Sequence, residues 1–166
     1  MGIERVVCDF RKSCLAWSNV DDVVMGGLSR SAMQVDQFGQ ATFSGVVSLE
    51  RNGGFASVRS MPCDHDFTDC DRFRLKVKGD GRLYSFRVRN DDRFDGVVYA
   101  SEFETVAGEW MESELPFSGF RPLFRGKVVT GAPPMDPGNV ARIGVLISSG
   151  QEGPFCLQIE WIKAVG

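Results

Sequence analysis

Alternation of apolar and polar residues with a period of two is the feature that most constrains the fold of this 166-residue chain. The alternation is clearest at residues 72–78 and 84–89, where aromatic or aliphatic residues alternate with Arg, Lys or Ser. Further alternating segments are residues 43–49, 97–104, 143–147 and 155–161. A period of two is that of a β-strand with one buried face. The sequence therefore predicts an antiparallel β-sandwich or jelly roll.

Helical periodicity is absent, and residues 137–142 have room for one helical turn at most. The 19 glycines and 7 prolines fall largely between the alternating segments, which predicts short strands joined by tight turns. A length near ~150 residues predicts one domain, covering residues 1–166. The sequence Asp80-Gly81 predicts a hairpin between residues 72–78 and 84–89. The proline-rich stretch 116–137 predicts a long ordered loop across one end of the sandwich.

Charge and targeting signals limit the possible partners and compartments. The net charge of −3 disfavours a dedicated nucleic-acid binder, and no stretch is apolar enough for an integral membrane segment. The first residues lack the features of a signal peptide, and acidic residues argue against a mitochondrial presequence. We therefore expect a cytoplasmic, bacterial-type chain rather than a mitochondrial one. The five cysteines are predicted to be reduced thiols, with Cys8, Cys14 and Cys156 in or near the core.

Six basic residues lie on the polar faces of two predicted strands: Arg72, Arg74, Lys76, Lys78, Arg87 and Arg89. A third predicted strand carries Glu102 and Glu104 on its polar face. If these strands are neighbours, their charges form cross-strand pairs on a solvated face. The alternative is a basic face that binds an anionic or polar partner.

Motifs of catalysis are missing from the sequence, which has no nucleophile elbow, phosphate-binding loop or dinucleotide fingerprint. We therefore expect no enzymatic activity and no cofactor. Cys63, His65 and Cys70 together offer three zinc ligands, but their spacing fits no standard structural site. A polar loop without metal is the preferred interpretation there.

A calcium site is the second metal hypothesis, because Asp91, Asp92 and Asp95 are close together near a turn. Their spacing is not that of a known calcium loop, so a solvated turn is preferred.

Two glycine-containing segments are the most unusual in composition: residues 17–29, WSNVDDVVMGGLS, and residues 52–59, NGGFASVR. Paired glycines allow a close approach of backbone. Asp21 or Asp22 would then cap exposed N–H groups or pair with Arg59. One interpretation is two connections locked together by buried polar contacts, and the other is a surface that meets a ligand or partner.

The candidate partner-binding or ligand-binding residues come from these segments, the basic strands and one tryptophan. They are Asn19, Asp21, Asp22, Met25, Gly26, Gly27, Ser29, Asn52, Gly53, Gly54, Arg59, Arg87 and Trp110. A carbohydrate site would instead need an exposed ring, for which Trp17, Tyr84 and Trp110 are the candidates. Their apolar or alternating settings favour core positions for all three.

Residues 22–29, DVVMGGLS, resemble the DxVMGGxS signature of the complex I intermediate-associated protein 30 family. The resemblance continues through residues 52–59, 78–84, 103–110, 116–126, 143–144 and 153–159, so it covers nearly the whole chain in order. It implies a galactose-binding-like β-sandwich without established catalysis. It also implies an assembly chaperone that contacts protein subunits of a respiratory or photosynthetic complex. A carbohydrate-binding module is the alternative function.

Overall fold

The computed structural model of the protein describes residues 2–12, 16–21, 27–50, 54–91, 93, 96–148 and 150–166. Within them, thirteen strands and one 3-10 turn, Phe117–Gly119, account for the regular structure. The strands are β1 (Glu4–Asp9), β2 (Trp17–Asn19), β3 (Arg30–Val35), β4 (Ala41–Val47), β5 (Ala56–Ser60), β6 (Arg72–Lys78), β7 (Leu83–Arg89), β8 (Val98–Glu104), β9 (Trp110–Pro116), β10 (Arg121–Phe124), β11 (Lys127–Val128), β12 (Arg142–Ile147) and β13 (Gly153–Val165). No helix in the described part of the chain is long and apolar enough to cross a membrane.

The strands form two antiparallel sheets, which confirms the predicted sandwich. The first sheet has the order β3-β4-β13-β6-β9, with β1 paired to β13. The second sheet has the order β11-β10-β8-β7-β12-β5-β2. Neighbouring strands in both sheets run antiparallel.

The core lies between the sheets and is rich in aromatic rings. Phe43 and Phe73 from the first sheet and Tyr84 and Phe86 from the second are almost fully buried. The Phe73 and Phe86 rings meet edge to face, with centroids 5.2 Å apart. The alternation that identified these strands is therefore the pattern of their inward faces.

The predicted hairpin between β6 and β7 is wrong, because these strands lie in different sheets. Asp80 holds the corner between them by accepting hydrogen bonds from the Tyr84 hydroxyl (3.0 Å) and the Cys156 backbone N–H (2.8 Å). Gly81 has a φ of +89°, which a residue without Cβ adopts at no steric cost. The chain crosses here from one sheet to the other, so that both apolar strand faces are buried against each other.

The proline-rich stretch is only partly the loop that was predicted. It contains β10 and β11, which pair with each other and extend one side of the second sheet. Arg125 (φ +51°) and Gly126 (φ +80°) form the left-handed turn between these strands. Local turn geometry thus makes a hairpin within a region whose prolines had suggested a loop.

The cysteines differ from expectation in two places. Cys8 is disulfide-bonded rather than reduced, and Cys156 is exposed rather than in the core. Cys63 and Cys70 are free thiols. Cys14 lies outside the described residues. The alternating segment 43–49 predicts that Leu49 shares the inward face of Phe43, but Leu49 is exposed because β4 ends at Val47.

Candidate partner-binding groove

A row of outward-facing positions crosses the second sheet at mid-strand. In spatial order, it consists of Arg121 on β10, Ala100 on β8, Arg87 on β7, Gly144 on β12 and Arg59 on β5. Each of these residues is preceded in the chain by a core residue: Phe120, Tyr99, Phe86, Ile143 and Val58. Inward alternation therefore forces their side chains to the opposite face of the sheet.

Arg142 lies next to this row, directly opposite Arg89 on the neighbouring strand. We call Arg59, Arg87, Arg89 and Arg142 the arginine face. Burial, together with the charges of Arg89 and Arg59, lowers the pKa of Arg87 to about 10. Burial, together with the charges of Arg89 and Arg142, lowers the pKa of Arg59 to about 10. The arginine face therefore concentrates like charge that is partly removed from water.

A groove of about 820 Å³ lies over the arginine face. Loop residues Leu49, Gly54, Phe55, Arg125 and Gly126 contribute to its walls. The described lining residues include five arginines but no carboxylate or side-chain amide. The groove is therefore suited to an anionic group and has apolar surface beside it.

A smaller recess of about 150 Å³ adjoins the groove and shares Arg87 with it. Ser85, Glu102 and Arg121 also line this recess. Ser85 is 8% exposed, and its hydroxyl has no hydrogen-bond partner among the described residues. The recess thus contains a nearly buried polar group whose hydrogen-bonding capacity is unused.

Unused hydrogen-bonding capacity is concentrated on this side of the second sheet. Six buried side-chain atoms of the described residues lack a partner, and three of them are Ser85 Oγ, Arg87 Nε and Arg142 Nε. Arg142 does donate from Nη1 to the Ser60 carbonyl at 3.0 Å. Because buried polar groups in proteins are normally hydrogen-bonded, this concentration is typical of a ligand site.

Asp21, one of the predicted residues, is buried beside the groove and ties three chain segments together. Its carboxylate accepts hydrogen bonds from the Ser31 hydroxyl (2.6 Å), the Ser31 N–H (2.9 Å) and the Ser57 N–H (3.1 Å). The Asn19 amide donates a fourth hydrogen bond at 3.3 Å. For Asp21, the structure matches the interpretation of connections locked by buried polar contacts.

Ser29 has a similar locking position. It is fully buried, its hydroxyl donates to the Ser48 carbonyl (3.2 Å), and it accepts from the Ser48 N–H (2.9 Å). Gly27 is also buried, whereas Gly54 lines the groove. The remaining predicted residues of these two segments lie outside the described residues: Asp22, Met25, Gly26, Asn52 and Gly53.

Trp110 lies away from the groove, on β9 of the first sheet. It is 37% exposed, and the Lys78 ammonium lies 6.0 Å from the centroid of its ring. Tyr84 is buried in the core, and Trp17 is half-buried against Phe10. None of these three candidate platforms lines the groove.

The groove thus brings together three of the predicted residues, Gly54, Arg59 and Arg87. Arg142 and Ser85 were missed as candidates. Their signal was present in the sequence, because both alternate with the apolar residues of predicted strands and so face outward. What the sequence lacked was the order of strands that places them side by side.

The two predicted metal hypotheses gain no geometric support. His65 stacks on Phe67 with ring centroids 5.1 Å apart. No group of three His, Cys, Asp or Glu side chains in the described ranges has the arrangement of a metal site. Asp91 accepts hydrogen bonds from Arg93, while Asp92 and Asp95 lie outside those ranges.

Comparison with known proteins identifies the family. The sequence model described as Complex I intermediate-associated protein 30 matches residues 8–159. The chain belongs to this family. The fruit fly (Drosophila melanogaster) member, named "Complex I intermediate-associated protein 30, mitochondrial", is 26% identical over 97% of this chain and 62% of its own length. The mouse (Mus musculus) member of the same name is 28% identical over 87% of this chain and 44% of its own length. The chain therefore spans less than two thirds of the length of either relative.

Solved structures similar to this member of the family include carbohydrate-binding modules. The family 11 module of cellulase Lic26A-Cel5E from Clostridium thermocellum has a TM-score of 0.72 at 18% identity, over 97% of this chain and 93% of the module. A family 11 module in complex with a mixed-linked β-1,3-1,4 tetrasaccharide has a TM-score of 0.70 at 19% identity, over 97% and 94% of the two chains. These similarities establish a galactose-binding-like jelly roll.

Proposed function

We propose that this chain is a non-enzymatic binding module that helps to assemble or stabilise a multi-subunit complex, with the groove as its partner surface. The observation that carries the proposal is that three of the six buried polar side-chain atoms without a partner in the described residues lie on the groove side of the second sheet. The names of the relatives associate those proteins with an intermediate of complex I. We infer that the partners of this chain are protein subunits of a respiratory or photosynthetic complex.

Binding rather than catalysis fits the residues of the groove. General acid–base catalysis needs a group whose pKa lies near the working pH. The described lining of the groove offers arginines, which stay protonated at neutral pH even with a pKa of about 10. It contains no histidine, cysteine or carboxylate side chain. Such a surface holds and orients an anionic partner.

The test is recovery of partners from native cells after crosslinking of the tagged full chain. We expect subunits of one complex to be enriched with the parent protein. The groove variant Arg59→Gln/Arg87→Gln should lose them. The matched variant Arg74→Gln/Lys76→Gln removes the same charge from β6 in the first sheet and should keep them. Enrichment of no protein at all, or equal enrichment with both variants, would contradict the proposal.

Carbohydrate binding is the second candidate, because the family 11 modules share this fold. Sugar sites combine ring stacking with hydrogen bonds from hydroxyls to acidic or amide side chains. The described groove lining offers one aromatic ring, Phe55, and none of those acceptors. Calorimetric titration with a mixed-linked glucan tetrasaccharide tests this alternative, and saturable binding that Phe55→Ala abolishes would favour it.

The cytoplasmic location expected from the first residues stays a prediction. Fractionation of native cells, followed by detection of the untagged chain, is the measurement that checks it.

A further inference from the structure

We propose that the groove recognises an extended acidic segment of a partner protein, with a carboxylate of that segment bound between Arg87 and Arg59. This inference deepens the proposed function and rests on it, because it names the chemistry of the partner at the same surface. It is carried by charge, by the shape of the groove floor, and by one nearly buried hydroxyl.

Charge complementarity is the first argument. Arg87 makes no hydrogen bond or ion pair with any described residue, although it is substantially buried between two strands. Burial, and after it the charges of Arg89 and Arg59, lower the pKa of Arg87 to about 10, against the opposite effect of Glu102. A bound carboxylate would supply the missing acceptor and offset the repulsion at the same time. A charged hydrogen bond to a guanidinium is among the stronger polar contacts in proteins.

The floor of the groove provides the space. Arg87 and Arg59 each lie directly opposite Gly144, so their backbones are about 10 Å apart, or two strand spacings. Gly144 has no side chain to fill the gap between them. A Cβ at this position would lie 2.7 Å from the Val58 carbonyl oxygen, which is closer than packing allows. Glycine therefore leaves the space between the two arginines free of a side chain.

Ser85 supplies an independent indication of a ligand. It is two residues from Arg87 on the same face of β7, about 7 Å along the strand. Its hydroxyl is nearly buried, has no partner in the part of the chain that the structure describes, and lines the recess that adjoins the groove. A backbone carbonyl of the bound segment would accept a hydrogen bond from it, whereas Glu102, directly opposite Ser85 in the same recess, disfavours a second carboxylate there.

Apolar groups beside the arginines favour a peptide over other anions. Leu49 and Phe55 line the large groove, Leu123 lines the recess, and Leu146 lines both. Such side chains pack against the aliphatic or aromatic residues of a peptide, whereas inorganic phosphate makes no use of them. The net charge of −3 disfavours nucleic acid, since its binding depends on a strongly positive surface.

The experiment measures fluorescence anisotropy of a labelled, extended peptide that carries two glutamates between valines, with the full chain as receptor. A peptide with glutamines in place of the glutamates is the matched probe. We expect the glutamate peptide to bind at least about tenfold more tightly, and Arg87→Gln to weaken it by about tenfold to a hundredfold. Arg74→Gln, which removes the same charge from the first sheet, should change binding by less than about twofold.

Further variants keep the result interpretable if Arg87→Gln does not fold. Ser85→Ala should weaken the glutamate peptide several-fold without lowering the melting temperature, because the hydroxyl has no partner within the described structure. Arg87→Lys keeps the charge but loses the bidentate geometry, so its affinity should be intermediate.

Several outcomes would overturn the inference. These are absence of binding by the glutamate peptide, equal binding of both peptides, and equal loss with Arg87→Gln and Arg74→Gln. Stronger competition by inorganic phosphate than by the unlabelled peptide would assign the arginines to phosphate instead. Crosslinked partners that are insensitive to Arg87→Gln would leave the proposed function standing while rejecting the acidic segment. Peptide binding without any cellular partner would support recognition of an acidic segment and reject the proposed assembly function.

Discussion

The outward faces of both sheets carry basic residues, but the residues opposite them on neighbouring strands differ. On the first sheet, Glu114 lies directly opposite Arg74 and accepts its Nε–H at 2.8 Å. The Lys76 ammonium forms an ion pair with the carboxylate of Glu160 on β13, at 3.0 Å. One interpretation of the sequence predicted a salt-bridged, solvated face, but with Glu102 and Glu104 as its acids. In the structure those two residues lie opposite Ser85 and Leu83, and the acids that pair with β6 are Glu114 and Glu160.

On the second sheet, the position opposite Arg87 on one side is Ala100, and on the other side it is Gly144. Arg142 faces another arginine, Arg89. Strands β6 and β7 have almost the same alternation of basic and apolar residues, but they differ in the residues opposite them: Arg74 faces a carboxylate, whereas Arg87 faces alanine and glycine. Cross-strand neighbours, rather than the composition of a strand, decide whether a basic side chain is paired across the sheet.

The largest predicted effect concerns how the groove side is held together. Asp21→Ala removes a buried carboxylate that accepts two backbone N–H groups and two side-chain groups. We expect the free energy of unfolding to fall by about 3 kcal/mol, because the Ser31 and Ser57 N–H groups lose their partner. Urea denaturation measures the change. The exposed Glu114→Ala serves as the control and should lose much less, and equal losses would contradict the distinction between buried and surface carboxylates.

The second prediction concerns a variant that gives Arg87 a carboxylate partner within the chain. Ala100→Glu places a carboxylate directly opposite Arg87, as Glu114 is opposite Arg74. We expect the affinity for the glutamate peptide to fall by about a hundredfold, because the new side chain competes for the guanidinium. Anisotropy titration measures it, with Ala100→Gln as the uncharged control of similar size. If the two variants weaken binding equally, steric obstruction rather than charge is responsible.

The sandwich itself was readable from the sequence, because alternation at residues 72–78 and 143–147 identifies strands whatever their partners are. The arrangement of the site was not. Asp80-Gly81 has the local chemistry of a hairpin, yet it forms the corner that sends β7 into the other sheet. Because β7 is in the second sheet, Arg87 is separated from the acidic residues of β9 in the first sheet. In the second sheet, Arg59 on β5 is two strands away from it. Strand order depends on packing across the core, which local pattern does not encode.

The third prediction is that replacing an arginine by methionine changes the free energy of unfolding in opposite directions on the two faces. Arg87→Met replaces a poorly compensated charge by an apolar side chain of similar length. We expect the free energy of unfolding to rise by about 1 kcal/mol, since uncompensated buried charges cost stability. Arg74→Met breaks the pair with Glu114 and should lower stability slightly. Urea denaturation of both variants under the same conditions is the measurement, and a clear loss with Arg87→Met would show that Arg87 has a stabilising role.

The smallest predicted effect is the pH dependence of the two faces. The hydrogen bond from Arg74 holds the pKa of Glu114 below its usual value of 4.5. A carboxyl whose pKa is lowered on folding stabilises the protein above its unfolded pKa, and that contribution disappears as the pH falls through the folded pKa. Melting temperatures of the parent and Glu114→Gln should therefore differ above about pH 4.5 and converge below it.

Arg87→Met should behave differently in the same experiment. With a pKa of about 10, Arg87 is fully protonated throughout the acidic range, so its removal should shift the melting temperature by a nearly constant amount. A shift from Arg87→Met that disappeared together with the Glu114→Gln shift would mean that Arg87 is neutralised by a carboxylate after all. The groove would then be a second paired face, and an acidic partner would have no reason to bind there.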